Sequence, residues 1–186
     1  PVVSSAASDV YKRQVLNNNQ SRGQWAEFQV EDLLGIMDYK EGIHYETQKI
    51  MKSGTKPDFT FYLPDDKSIN MDSKFPLTIY MEISKLNRDL EDETLDEIAR
   101  REITDSIKAK TKEFLDKAIK TKIDDTASRE GYIAPDEDTV DFVLMYIPLE
   151  NLYHFLLTSV IGSSKTPVIE YAFSRKVILV LSLIHI

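Results

Sequence analysis

The pattern of apolar and polar positions divides this chain into alternating helical and extended stretches. Over residues 24–37, Ala26, Val30, Leu33, Leu34 and Met37 recur at i, i+4, i+7, i+8 and i+11, one face of an amphipathic helix. Residues 44–52 (HYETQKIMK) fit a first strand, closed by the turn signal Ser53-Gly54-Thr55-Lys56-Pro57. Asp58–Leu63 (DFTFYL) alternates and is aromatic-rich, which predicts a second strand. Leu63-Pro64-Asp65-Asp66-Lys67 is a turn, and 68–74 forms the returning strand, stopped by Pro76. A helical region from about Ile79 to Ile123 is long enough to require a break. Thr126–Thr139, with Gly131 and Pro135, reads as an exposed loop. Val140–Ile147 (VDFVLMYI) is a near-continuous apolar run, the pattern of a strand buried on both faces. Pro148-Leu149-Glu150 opens a short helix to about Ile161, and Val177–Leu181 is a last apolar run. The order predicts an α/β fold: a mixed sheet flanked by helices, with a long helical insertion.

Composition narrows the function classes. The chain has 186 residues, 42% hydrophobic and 29% charged, as in a single globular domain. Its formal charge of −8 makes it a poor general binder of phosphate backbones, so contact with DNA needs a local basic patch or a metal. Without cysteine, disulfides and thiolate metal sites are excluded. No apolar run is long enough to span a membrane, and no signal peptide is visible. The opening SSAASDVYKRQ and the closing LSLIHI resemble translated sequencing-adapter read-through. Residues 1–14 and 181–186 are therefore expected to be non-native tails around a domain at 15–180.

Candidate chemistry centres on Pro57-Asp58 and Asp72-Ser73-Lys74. One acid starts a strand and the other ends the next, so a hairpin brings them together. Asp72 and Lys74 are two apart and share a face in an extended strand. Asp58 joins that face only if its position pairs with 72, which requires an odd-numbered connecting loop. Two carboxylates there would hold a hard cation, Mg2+ or Mn2+, with the Ser73 carbonyl as a further ligand. Lys74 would orient or deprotonate a water, or stabilise charge on phosphorus. Glu27, beside the apolar stripe of the first helix, is a candidate third carboxylate, with Glu31 one turn on. The plainer alternative makes Asp58 a turn residue, Asp72 and Lys74 a solvated strand end, and Glu27 an ordinary surface acid. The basic run Lys108, Lys110, Lys112, Lys117, Lys120 and Lys122, with Lys108 and Lys112 foremost, is a candidate track for a DNA backbone, but Glu113 and Asp116 interleave with it, as on a solvated helix face.

Several segments also resemble one known family. Gly23-Gln24-Trp25-Ala26-Glu27-Phe28-Gln29-Val30-Glu31 is similar to the opening of the RmuC domain, and Tyr45-Glu46-Thr47-Gln48 to its Y-x-x-Q element. Lys56-Pro57-Asp58, Leu63-Pro64-Asp65 and Asp72-Ser73-Lys74-Phe75-Pro76-Leu77 resemble its R/K-P-D, L-P-D and D-S-K-x-P-L signatures. Asp141-Phe142-Val143-Leu144-Met145-Tyr146-Ile147-Pro148-Leu149-Glu150 resembles its later strand. The resemblance runs in order over about Gly23–Leu181. It implies a restriction-endonuclease-like fold of the PD-(D/E)XK type and a role in bacterial DNA recombination. It further implies a metal-dependent deoxyribonuclease or, alternatively, a cleavage-inactive DNA-binding or scaffold module. A cytoplasmic location is expected, with an N-terminal membrane anchor and coiled coil in full-length members.

Overall fold

The computed structural model describes residues 19–73 and 77–181, with side chains from residue 24 onward. The expected tail at 1–14 and all of 181–186 except Leu181 lie outside this range, and so does Lys74. In chain order the elements are α1 (Asn19–Ile36), β1 (Tyr45–Thr47), β2 (Phe59–Tyr62), β3 (Ser68–Asp72), α2 (Leu77–Leu90) and α3 (Glu97–Glu113). A π-helical stretch (Phe114–Ile119) leads into α4 (Lys120–Ser128), and a short 3-10 turn (Pro135–Glu137) follows. The chain ends with β4 (Val143–Ile147), α5 (Glu150–Thr158), β5 (Val160–Ile161), β6 (Thr166–Pro167), α6 (Val168–Ser174) and β7 (Val177–Leu181).

The main sheet has five strands in the order β1-β2-β3-β4-β7. The β1–β2 and β2–β3 pairs are antiparallel, and β3–β4 and β4–β7 are parallel. This mixed sheet with helices on both faces meets the α/β expectation. Of the near-continuous apolar run at 140–147, residues 143–147 form β4, between β3 and β7, and are mostly buried, so the strand starts three residues later than expected.

Alternation along the strands sorts side chains to two faces. Phe59, Met71 and Tyr146 lie on one face, where they pack with Ala26, Val30 and Leu34 of α1. The i, i+4, i+8 spacing of those three residues is the buried part of the expected stripe, whereas Met37 past the helix end is 51% exposed. Val143, Met145, Ile147, Val177 and Leu179 line the opposite face. They form the larger core with Phe114, Ile119, Ile123, Tyr132, Leu152 and Leu156.

Several elements differ from the sequence expectation. The first strand stops at Thr47 because Gln48 takes a left-handed backbone (φ 50) that cannot continue a strand. The long helical region breaks at residues 91–96. There, Asp92 Oδ1 accepts from the Thr94 N–H at 2.9 Å, and Asp96 caps α3 by accepting from the Ala99 N–H at 2.7 Å. The stretch expected as an exposed loop begins inside α4 and then buries Gly131, Tyr132, Ala134 and Thr139. Its Tyr132 and Thr139 tie it to the sheet, through a phenol hydrogen bond to the Lys56 carbonyl (2.9 Å) and a bridge to Ser68. The helix after β4 ends at Thr158, and the short β5–β6 hairpin and α6 fill the interval before β7.

Candidate functional site

The β2–β3 hairpin sets the site. Phe59 pairs with Met71, Thr60 with Asn70, Phe61 with Ile69 and Tyr62 with Ser68. Every pair sums to 130, and five residues, Leu63 to Lys67, connect the last pair. That odd loop continues the register to Asp58 opposite Asp72. Asp65 and Asp66 close it in left-handed conformations (φ 59 and 56), which short acidic side chains tolerate.

Asp58 and Asp72 thus lie on the face shared with Thr60, Asn70 and Met145, at its end. Both are buried, 1% and 0% exposed, so Asp72 is not a solvated strand end. The Oδ2 atom of Asp58 accepts from the Ser73 backbone N–H at 2.7 Å and from the Ser73 hydroxyl at 2.9 Å. Its Oδ1 accepts from Gln48 Nε2 at 3.2 Å, while the Gln48 N–H donates to the Asp58 carbonyl at 3.2 Å. The left-handed backbone of Gln48 therefore ends β1 and aims the amide at Asp58.

Asp72 is held from the other side. Its Oδ2 accepts from Lys122 Nζ at 2.9 Å and from Thr126 Oγ1 at 3.3 Å. Its Oδ1 is buried with no hydrogen-bond partner among the described residues. Burial pushes the Asp72 carboxyl above its ordinary range; Lys122 opposes that shift and the neighbouring Asp58 adds to it. Arg129 feels both carboxylates and donates to the Tyr132 hydroxyl at 3.0 Å. Burial and the two acids push the Tyr132 phenol up to about 12, against the pull of Arg129.

Lys122, Thr126 and Arg129 fall at i, i+4 and i+7, one stripe along α4 and its end. The π-helical stretch sets that phase, with the Lys120 N–H bonded to the Leu115 carbonyl five residues back. One inserted residue rotates the following helix by about 100° relative to a continuous α-helix. Phe114, Leu115 and Ile119 upstream and Ile123 downstream remain buried in the core, and the polar stripe meets the acid pair.

A buried polar clamp fixes the segment after α4 against the same hairpin. Thr60 Oγ1 donates to Asn70 Oδ1 at 2.7 Å, and Asn70 Nδ2 donates to the carbonyls of Gly131 (3.2 Å) and Tyr132 (3.1 Å). Gly131 has φ +81, and a Cβ there would sit 2.7 Å from Ser53 Oγ and 2.9 Å from Met51 Cβ.

The remaining expected residues lie on helices. Glu27 is half-buried on α1, whose apolar stripe covers the sheet face opposite Asp58 and Asp72. Among the described residues, no group of three or more His, Asp or Glu is placed to hold a metal ion. Lys108 is exposed and pairs with Asp105 at 3.3 Å, and Lys112 is exposed on α3. Sequence reading placed Lys122 only in a basic run and gave Thr126 and Gln48 no role in the site. The Y-x-x-Q segment was the available signal for Gln48. Nothing local signals Lys122, because its partner is 50 residues away.

A mixed five-stranded sheet with a buried acid pair at the mouth of a β-hairpin defines an α/β domain with a polar site under a covering helix. The model of the RmuC family matches residues 3–182, and the chain belongs to that family. It is similar to proteins named DNA recombination protein RmuC homolog from three bacteria. It is 33% identical to that of Pasteurella multocida over 70% of this chain and 23% of the relative, and 29% identical to that of Haemophilus influenzae over 85% and 31%. With that of Pseudomonas aeruginosa it shares 25% identity over 89% of this chain and 33% of the relative. The chain therefore spans a third or less of the length of these relatives. No solved structure matches it. Among the described residues no helix is long and apolar enough to cross a membrane.

Proposed function

We propose that this chain is the nuclease-like domain of a DNA recombination protein, with a restriction-endonuclease-like arrangement and an Asp58–Asp72–Lys74 phosphodiesterase site. The observation that carries this reading is the register that sets two buried carboxylates side by side. Burying two adjacent acids is costly even with Lys122 beside one of them, so such a pair is rarely a structural accident. The donor set fits a hard divalent cation. It offers two carboxylates, one of them with a buried oxygen that has no hydrogen-bond partner among the described residues, at the hairpin's open end.

Asp58 and Asp72 would hold Mg2+ or Mn2+, with the Ser73 carbonyl as a third protein ligand. Glu27, half-buried on α1, is assigned as a further carboxylate of this set. The bound ion would polarise a phosphoryl oxygen and lower the pKa of a water. The chain's own residues do the positioning. Ser73 and Gln48 fix both oxygens of Asp58, and Thr126 fixes one of Asp72. Lys74, two residues beyond Asp72, is assigned the proton or charge-stabilising role by its spacing. Lys108 and Lys112 on the exposed side of α3 are assigned to the DNA backbone. The test is Mg2+-dependent cleavage of DNA by the wild-type chain and by Asp58→Ala and Asp72→Ala. Cleavage lost in both variants supports the assignment, and cleavage retained in both removes it.

A further inference from the structure

Lys122 stands apart from the rest of its basic run. The side chains of Lys108, Lys110, Lys117 and Lys120 are 72%, 41%, 78% and 45% exposed, whereas that of Lys122 is 16% exposed. The exposed four pair with acids on their own helix or its neighbour. Lys122 instead reaches the wholly buried carboxylate of Asp72 at 2.9 Å. A buried lysine–carboxylate contact is sustained only when the local charges nearly cancel.

Charge counting shows what Lys122 does there. Asp58 and Asp72 together carry −2 when ionised, and among the described residues the Lys122 ammonium in direct contact with Asp72 supplies +1. Arg129 adds positive potential without a direct hydrogen bond to either carboxylate among those described. A divalent cation at the pair would neutralise both acids by itself. Adding it while Lys122 remained would place three positive charges against two negative ones in a buried space, where like charges repel strongly. The ammonium and the metal also draw on the same carboxylate.

We infer that Lys122 is a built-in competitor of the divalent cation. Without metal its ammonium neutralises Asp72, and metal binding expels it from Asp72 Oδ2. The inference rests on the proposed two-carboxylate metal site. Lys122 is thus a positioning residue that sets how tightly the site takes metal.

The test uses Mn2+ binding to the 186-residue chain without DNA, followed by titration calorimetry. Lys122→Met should bind Mn2+ at least about tenfold more tightly than wild type, the factor that ~1.4 kcal/mol of relieved competition produces. Lys122→Arg, which keeps the charge, should stay near the wild-type value. Equal affinity of wild type and Lys122→Met overturns the competition and leaves the metal site standing. Absence of Mn2+ binding by both folded proteins overturns the metal site, and the competition with it. A second measurement needs no variant. Acetylation of Lys122 in the wild type, followed by mass spectrometry, should be slow without metal and several-fold faster with Mn2+. Metal binding that leaves Lys122 equally protected overturns the expulsion.

Discussion

The ammonium of Lys122 lies 2.9 Å from Oδ2 of Asp72, joining the helix after the π-helical stretch to the end of β3 across 50 residues of chain. Through this contact α4 becomes part of the site as well as a cover for the larger core. Thr126 on the same stripe donates to the same oxygen.

The pH dependence of stability follows from Asp72. Its carboxyl is raised above the ordinary 3.8, first by burial, with Lys122 opposing and Asp58 reinforcing the shift. A carboxyl with a raised folded-state pKa binds its proton more tightly in the folded chain. Its contribution to stability is therefore complete below the unfolded value and is lost as pH rises through the folded one. Asp72→Asn cannot titrate at this position. The difference in Tm, metal-free wild type minus Asp72→Asn, should grow more positive as pH falls from 7 toward 4. A difference that stays flat or moves the other way contradicts the assignment of the shift.

Gly131 tests the clamp that holds the segment after α4. Gly131→Ala combines a left-handed backbone with a Cβ pressed on Met51 and Ser53. Chemical denaturation should register a loss of about 1–3 kcal/mol, the usual cost of forcing a side chain into such a conformation. A loss below the error of the method would mean that the loop shifts freely, without disturbing Asn70.

Asn70→Ala removes the group that joins Thr60 to two backbone carbonyls in the interior. Leaving those partners unsatisfied should cost about 1–3 kcal/mol in equilibrium unfolding. The companion Thr60→Val removes the threonine hydroxyl from the same pair. Its effect should be less than additive with that of Asn70→Ala in a double-mutant cycle, because the two share one hydrogen bond. Strict additivity would show that the network is not a unit.

The exposed lysines separate DNA contact from stability. Lys108→Ala and Lys112→Ala should each change stability by less than about 0.5 kcal/mol, as surface ion pairs usually do. If both touch the backbone, each should also reduce the slope of log affinity against log salt by about one. An unchanged slope in both removes them from the DNA surface.

Residue order carried much of this architecture because the informative signals were local. The aromatic alternation of β2, the five-residue turn and the apolar run of β4 appear as short-range patterns, whereas loop parity gave only the condition that the β2–β3 register meets. Other features depend on tertiary contact. Gln48 ends β1 through a backbone state that its hydrogen bonds to Asp58 stabilise. The polar stretch after α4 looked like surface because Tyr132 and Thr139 find their partners at Lys56 and Ser68, far along the chain. The short β5–β6 hairpin includes Pro167, which reads as a breaker in isolation. Within the site, the acid pair was legible, whereas the phase of the helix carrying Lys122 depends on the π-helical insertion upstream.

The most direct measurement of the central claim is Mg2+-dependent DNA cleavage by wild type and Asp72→Ala, with both proteins checked for folding by circular dichroism. The account predicts cleavage by wild type that requires the metal and a loss of at least about 100-fold in the variant, on the order of removing a principal charge-stabilising group. Equal cleavage by the two folded proteins, or no metal-dependent cleavage by the wild type, would contradict it.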